Sequence, residues 1–245
     1  MSRQDIHRFS LGSTFVGVAD RVSSRPSLRP VGADALDLRV LELLTARLCH
    51  ELSGPIAAIN NGVELLADEP VLANGRVDPD FVQDAMALVG DSASRAARRL
   101  QFYRFAYGFG HGALMVGSAP DKLATRFFEE TRIACNYGDS LRAMPLDWQR
   151  LACNLLLIGA EALSRGGSLV LAAGPAGISV DAIGEFTGLS PETTAALALA
   201  TPVAALTPRS VQAYFTGLLA ETLGRRLVST EELHRVQLSA VAPTG

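Results

Sequence analysis

A long run of regularly spaced apolar residues constrains the fold of this chain more than any other feature. Between residues 41 and 66, apolar side chains recur at steps of three and four, so they share one side of a long amphipathic helix. Their average step is close to the spacing of a coiled-coil seam. The residues are Leu41, Leu44, Leu48, Leu52, Ile56, Ile59, Val63 and Leu66. The segment Asp68-Glu69-Pro70 ends this helix, because proline cannot continue it.

A second helix is predicted from about residue 79 to about residue 107. Asp78 supplies an N-cap, and Pro79 stands at the first helical position, where proline is favoured. Two long helices joined by a short connection are typical of an antiparallel hairpin. The apolar residues of the second helix include Phe81, Leu88, Val89, Ala96, Leu100 and Tyr103.

The predicted hairpin carries more apolar surface than its single internal seam can bury. Pairing two hairpins into a four-helix bundle would bury the remainder, so we expect a homodimer. The alternative is that the hairpin covers its apolar surface only by packing on the C-terminal part of its own chain.

Beyond a glycine-rich joint at residues 108–112, helices and strands alternate in an order typical of a two-layer α/β sandwich. Asp147 opens the most apolar of the predicted helices, and Gly166-Gly167 closes it. Predicted helices cover 120–131, 147–165 and 208–223, and predicted strands cover 113–117, 168–173, 178–183, 226–230 and 236–241. The predicted fold class is therefore α+β. Its parts are a mobile leader (1–33), a helical hairpin (34–108) and an α/β domain (113–245).

Composition excludes several classes of partner. A net charge of −3 gives no electrostatic case for binding nucleic acid or an anionic membrane. No apolar run approaches the roughly 20 residues that span a bilayer. The three cysteines are widely spaced and form no CxxC pair, which indicates free thiols in a reducing compartment. We therefore expect a cytoplasmic protein.

His50 stands in the middle of the first helix and outside its apolar side. A neutral imidazole nitrogen is a nucleophile near pH 7 and can attack a phosphoryl group. That chemistry requires an exposed ring held in one orientation. Glu51 follows in the chain and can position the ring or accept its proton, and Pro55 is expected to kink the helix. His50 and Glu51 are therefore the catalytic candidates.

Residues near His50 on the helix are candidates for contact with a partner. Gly54 removes side-chain bulk beside the imidazole, and Arg47 can meet phosphate oxygens. The full set by helical position is Leu44, Arg47, Ser53, Gly54, Ala57 and Ala58. On the second helix, an arginine-rich face is either a dock for an acidic domain or simply solvated. It consists of Arg95, Arg98 and Arg99.

The segment LCHELSGPI (residues 48–56) resembles the phosphoacceptor box of sensor histidine kinases, a histidine followed by an acid, an apolar residue and, five residues after the histidine, a proline. Such kinases join a dimeric helical hairpin to an ATP-binding α/β sandwich of the Bergerat type. The longer stretch 46–66, which continues as AAINNGVELL, is similar to a narrower family, the ChpT-type histidine phosphotransferases of alphaproteobacteria. These keep the kinase-like architecture but receive and donate phosphate without ATP.

Three parts that such a kinase needs for its nucleotide are degenerate here. Asn154 matches one asparagine of the magnesium-binding box, but the second falls at Ile158, which cannot ligate a hard cation. Asp181 matches the aspartate that reads adenine, but the paired glycines after it are missing. The glycine-rich lid that cradles phosphates is absent before Pro208. The resemblance therefore implies a retained fold with a lost nucleotide site.

The resemblance implies a histidine phosphotransferase of a two-component phosphorelay. His50 would take a phosphoryl group from the receiver domain of a hybrid histidine kinase and pass it to response regulators, by resemblance those of the cell cycle. No cofactor of its own is expected, because the receiver's carboxylates would hold magnesium. The α/β domain would serve as a wall against which the receiver docks. The alternatives are an ATP-dependent sensor histidine kinase and a dimeric scaffold without chemistry.

Overall fold

The computed structural model of the chain describes residues 38–68, 78–108, 119–174 and 177–243. The predicted leader at 1–33 and the strand predicted at 113–117 lie outside these residues. So does most of the predicted joint, of which only Gly108 is described, with a φ of 88°.

Two long helices form an antiparallel hairpin, and α1 spans Leu38–Ala67 while α2 spans Pro79–Ala106. The predicted cap of α2 is confirmed, since the Asp78 carboxylate accepts a hydrogen bond from the backbone N–H of Asp80 (3.1 Å). Gly62 of α1 faces Val89 of α2, where a Cβ atom would lie only 2.6 Å from the valine side chain. The two helices therefore approach closely at a position where α1 has no side chain.

The C-terminal part contains a five-stranded sheet with the order β1-β2-β3-β5-β4. The β1–β2 pair is parallel, and the other three pairs are antiparallel. The predicted hairpin of β2 and β3 is confirmed. In chain order the elements are α3 (Pro120–Phe128), β1 (Ile133–Tyr137), α4 (Asp139–Arg142), α5 (Leu146–Glu161), β2 (Gly167–Gly174), β3 (Gly177–Ile183), α6 (Pro191–Leu197), a 3-10 turn (Val203–Ala205), α7 (Val211–Thr222), β4 (Arg226–Glu232) and β5 (Arg235–Val241).

One face of the sheet is covered by helices, which gives two layers. Leu171, Val180 and Leu238 are neighbours across three strands, and all are buried beneath α5 and α7. Along each of these strands, the residues that alternate with the buried ones are partly buried or exposed, as expected for a sheet with one covered face. Burial of this apolar face is the main stabilisation of the C-terminal part.

The base of the hairpin belongs to the same hydrophobic core as the sheet. Val40, Leu43 and Leu44 of α1 pack in one cluster with Phe102 and Tyr103 of α2 and with the helices over the sheet. The base of the hairpin therefore packs on the C-terminal part of its own chain, and the choice between this packing alone and a homodimer stays a prediction. The part of the hairpin beyond Leu48 of α1, called the upper hairpin, still carries exposed apolar residues.

Some boundaries predicted from the sequence differ from those of the structure, and three short elements are not predicted. The elements β1, α4 and α6 have no counterpart among the predicted ones, because each has only four to seven residues, too few for a clear period. The prediction that Asp147 opens the apolar helix is wrong, because Pro145 holds the N-cap position. The helix predicted at 208–223 begins only at Val211, after a turn in which the Ser210 hydroxyl accepts a hydrogen bond from the Thr207 N–H (3.0 Å).

Candidate functional site

The imidazole of His50 is exposed near the middle of α1. Among the described residues, no hydrogen bond or ion pair holds the ring. Gly54, one turn along the helix, is also exposed, and a Cβ atom built there meets nothing within 4 Å. The helix therefore offers the ring on an open surface, with space beside it for another molecule.

The Glu51 carboxylate points towards α2, where it forms an ion pair with Arg99. Both side chains are partly buried, and the Arg99 guanidinium also lies over the ring of Phe127 of α3, 5.6 Å from its centre. No pattern in the sequence indicates Arg99 as the partner of Glu51. This geometry joins three helices next to His50 and leaves Glu51 engaged by a cation.

Arg47 lies one turn before His50 and reaches the C-terminal part of the chain. Its Nη2 atom lies 2.5 Å from Oε1 of Glu161, at the end of α5, and its Nη1 donates to the carbonyl of Pro208 (3.4 Å). Burial raises the pKa of the Glu161 carboxyl, and the neighbouring Arg47 offsets only part of that rise. For Arg47, burial alone would lower the pKa, but Glu161, Tyr103 and Tyr107 together outweigh burial and the pKa is raised.

The other predicted contact residues occupy different environments. Ser53 and Ala57 are exposed on the side of α1 that carries His50, and Ala58 is partly buried. The Ser53 hydroxyl donates a hydrogen bond to the carbonyl of Cys49 (2.7 Å). Leu44 is only 6% exposed and lies in the core. Burial therefore indicates a packing role for Leu44 instead of the expected contact with a partner.

The arginine-rich face of α2 is partly neutralised within the chain. Arg95 and Arg98 both form ion pairs with Glu130, which follows α3. Burial by itself would raise the pKa of Glu130, but the hydrogen bonds from Arg95 and Arg98 bring it below the ordinary glutamate value. These arginines therefore tie α2 to the segment after α3, and a wholly solvated face does not describe them.

A buried amide network joins the end of α2 to α5 and α7. The side-chain amide of Asn154 donates to the carbonyls of Ala106 (2.8 Å) and Arg150 (2.9 Å), and its oxygen accepts from the Gln212 amide (2.8 Å). Gln212 in turn accepts from the Tyr107 hydroxyl (2.8 Å). Asn154 and Gln212 are both fully buried. The sequence did not single out Gln212, although a polar residue within the apolar helix 211–222 is the signal that could have found it.

The other residues tied to a nucleotide site by resemblance also have partners within the chain. Ile158 of α5 is fully buried in the core that α5 shares with the sheet. The Asp181 carboxylate accepts hydrogen bonds from Arg235 (3.0 Å) and Gln237 (2.9 Å) on the neighbouring strand. Asn154, Ile158 and Asp181 thus all have structural contacts.

Comparison with known proteins settles the family. The chain is 34% identical over 205 residues to the protein phosphotransferase ChpT of Brucella abortus (strain 2308), and the match covers 81% of this chain and 92% of that protein. The chain belongs to the ChpT-type histidine phosphotransferase family. A sequence profile described as "Histidine phosphotransferase C-terminal domain" matches residues 119–232 of this ChpT-type chain.

A solved structure confirms the fold of the ChpT-type chain. It is described as the 1.7 Å structure of a bacterial phosphotransferase and superimposes with a TM-score of 0.66 at 31% identity. The superposition covers 84% of this chain and 97% of that one. The likeness therefore extends over most of the hairpin and the α/β part together.

Two features are absent from the described part of this ChpT-type chain. No helix in residues 38–68, 78–108, 119–174 and 177–243 is both long and apolar enough to cross a membrane. In the same residues, no group of three or more histidine, cysteine or acidic side chains is placed to hold a metal ion.

Proposed function

We propose that this ChpT-type chain relays a phosphoryl group through His50, from the receiver domain of a hybrid histidine kinase to the receiver domain of a response regulator. The observation that carries the proposal is the exposed imidazole of His50 beside the open surface at Gly54. A receiver aspartate must come within bonding distance of the ring, and that approach needs space around it.

The proposed reaction has two halves. A phosphoryl group moves from a receiver aspartate to His50, and then from His50 to the aspartate of a second receiver. A ring nitrogen of His50 donates its lone pair to phosphorus, and the bond from phosphorus to the receiver's carboxylate oxygen breaks. The electron pair leaves with the carboxylate, and the proton on the other ring nitrogen can pass to water. In the second half, the aspartate of the response regulator attacks phosphorus, the N–P bond breaks with its electron pair going to the His50 nitrogen, and the other ring nitrogen takes a proton back from water. Magnesium held by the receiver would neutralise the phosphoryl oxygens.

Transfer without ATP is supported by the contacts of the former nucleotide residues. Both N–H groups of the Asn154 amide donate inside the chain and its oxygen accepts from Gln212, so the side chain is engaged in the fold at both ends. The Asp181 carboxylate is paired with Arg235. A magnesium-dependent ATP titration separates this proposal from an ATP-dependent kinase, for which clear binding is expected.

Homodimerisation is supported by apolar side chains that the chain leaves exposed on the upper hairpin. Ile56 and Val63 on α1 are 49% and 51% exposed, and both lie on the side of the helix away from His50. On α2, Met86 and Leu100 are exposed two heptads apart. Pairing these stripes in a four-helix bundle would leave two His50 rings on the outside.

The decisive experiment mixes the protein with a receiver domain carrying labelled aspartyl phosphate. We expect label to appear on the wild type and on His234→Gln, which alters the other described histidine. We expect none on His50→Gln, because the amide cannot form the N–P bond. Equal labelling of His50→Gln would show that transfer does not pass through His50. A complete lack of labelling of the wild type would instead favour a scaffold without chemistry.

A further inference from the structure

We propose that Arg47 and Glu161 form a clamp that fixes the α/β part of the chain beside His50. In this proposal, which rests on the proposed function, Arg47 is a positioning residue for phosphotransfer and does not bind the phosphoryl group itself. The clamp joins two segments that are 114 residues apart in the sequence.

The contacts of Arg47 point away from the open surface in front of His50. One guanidinium nitrogen pairs with Glu161 and another donates to the Pro208 carbonyl, and both partners belong to the α/β part. The Arg47 side chain is only 14% exposed, whereas the side chain of Glu161 is 28% exposed. A guanidinium held in this way is directed into the crevice between the hairpin and the α/β part.

The clamp contacts α1 at the point where the shared core ends, close to His50. Val40, Leu43 and Leu44 anchor α1 in the shared core, and Leu48 packs at its edge. Among the described residues, no α1 side chain beyond Leu48 belongs to this core. Arg47 therefore holds the α/β part at the upper edge of the contact, one helical turn from His50.

Other contacts hold the α/β part on the opposite flank, at α2. There the buried Asn154 amide binds the end of α2, and Phe127 of α3 stacks on Phe102. These contacts keep the two parts together without Arg47. The contacts of Glu51, Arg99 and Phe127 connect α1 to α3 only through α2, whereas Arg47 joins α1 to the α/β part directly, one turn from His50. In the proposed clamp, the partly buried ion pair fixes one arrangement of α1 and the α/β part, a role that ion pairs have in some proteins even where they add little stability.

Loss of the clamp should weaken docking more than chemistry. If the α/β part can move away from α1, only a fraction of the molecules presents the complete docking surface, and the apparent affinity falls by that fraction. A bound receiver restores the arrangement, so the rate at saturation is preserved. We expect KM for the phosphorylated receiver to rise by about five- to tenfold, with kcat within about twofold of the wild type.

The test is a double-mutant cycle of Arg47→Gln, Glu161→Gln and the combined variant. We expect each single change to raise KM to the same extent and the combined change to raise it no further, because both remove one contact. The control is Arg142→Gln, which removes an arginine with ion pairs to Asp121 and Asp139 inside the α/β part. Its KM should match that of the wild type.

Two outcomes would overturn the clamp. Glu161→Gln leaves the Arg47 guanidinium in place, so a normal KM for this variant together with a large loss of kcat in Arg47→Gln would mean that Arg47 acts on the phosphoryl group directly. Additive effects of the two substitutions would mean that they act independently.

Hydrogen exchange distinguishes failure of the clamp from failure of the proposed function. If the wild type accepts no phosphate, the proposed function fails, but the clamp still predicts faster amide exchange in Glu161→Gln where α1 meets α7 and the 3-10 turn. Unchanged exchange at that contact would overturn the clamp. A urea midpoint near that of the wild type would confirm that the variant is folded.

Discussion

Two glycines of α1, Gly54 and Gly62, differ in what surrounds them. Gly54 is exposed beside His50, and a Cβ atom there would meet nothing within 4 Å. Gly62 is buried against α2, and a Cβ atom there would lie 2.6 Å from Val89. Gly54 therefore leaves the surface beside His50 open, whereas Gly62 permits α1 and α2 to pack closely.

This difference predicts unequal effects of the same substitution. Gly54→Ala should change the free energy of unfolding by less than about 1 kcal/mol, because the backbone entropy that alanine saves in a helix is opposed by crowding of its Cβ atom against the ring of Pro55. Gly62→Ala should lower it by about 1–3 kcal/mol, because the new methyl group overpacks the helix contact. Urea unfolding of the two variants measures both changes. Equal destabilisation by the two substitutions would contradict this prediction.

Glu51 illustrates what sequence spacing can and cannot say about a residue. Its place next to His50 indicates a role at the imidazole, either as a base or as an orienting group. The structure instead pairs its carboxylate with Arg99 of α2. Because neighbouring helix residues point in different directions, adjacency in the chain did not decide this contact.

At the scale of the elements, the buried amide network links the end of α2 to α5 and α7. Asn154→Ala should lower the free energy of unfolding by about 1–3 kcal/mol, because it leaves the buried Gln212 amide without its acceptor. Gln212→Ala should have a similar effect, since it removes the partner of both Asn154 and Tyr107.

The double variant Asn154→Ala/Gln212→Ala should be less destabilised than the sum of the single changes, because both disrupt one network. Denaturant unfolding of the three proteins checks this. Strict additivity would show that the two side chains stabilise the protein independently. The surface change Asp139→Asn, at a highly exposed side chain, serves as the control and should have little effect.

The elements that the sequence predicts are those with a sustained period. The hairpin helices and the β2–β3 pair each bury one face over many residues, so their apolar pattern is clear. The five-residue β1 has no such pattern, and its pairing with β2 depends on residues more than thirty positions away. Short elements placed by tertiary contacts have little local signal.

The same reasoning applies to the candidate site. Exposure of His50 could be predicted because the residue stands outside the apolar side of its own helix. The pairing of Arg47 with Glu161 could not be predicted, because the two residues lie on elements that meet only after folding. The sequence expectation that Arg47 meets phosphate oxygens is the alternative to the proposed clamp, and the double-mutant cycle decides between the two.

At the scale of the whole molecule, the exposed apolar stripes of the upper hairpin predict dimerisation. Ile56→Glu should convert a dimer into a monomer at micromolar concentration, because it places a charge at the centre of the proposed bundle. Light scattering coupled to size exclusion measures the mass. Leu233→Glu is the control, since Leu233 is 86% exposed at the turn between β4 and β5. A wild type that is already monomeric would contradict the four-helix bundle.

The shared core also sets where this protein can be divided. The family profile begins at residue 119, yet Val40, Leu43 and Leu44 fill the same cluster as the helices over the sheet. A fragment cut at the profile boundary would expose to water the apolar surface that α1 now covers. Recombinant pieces, fusions and chimaeras of this chain should therefore retain α1 and α2 together with the segment that the profile recognises.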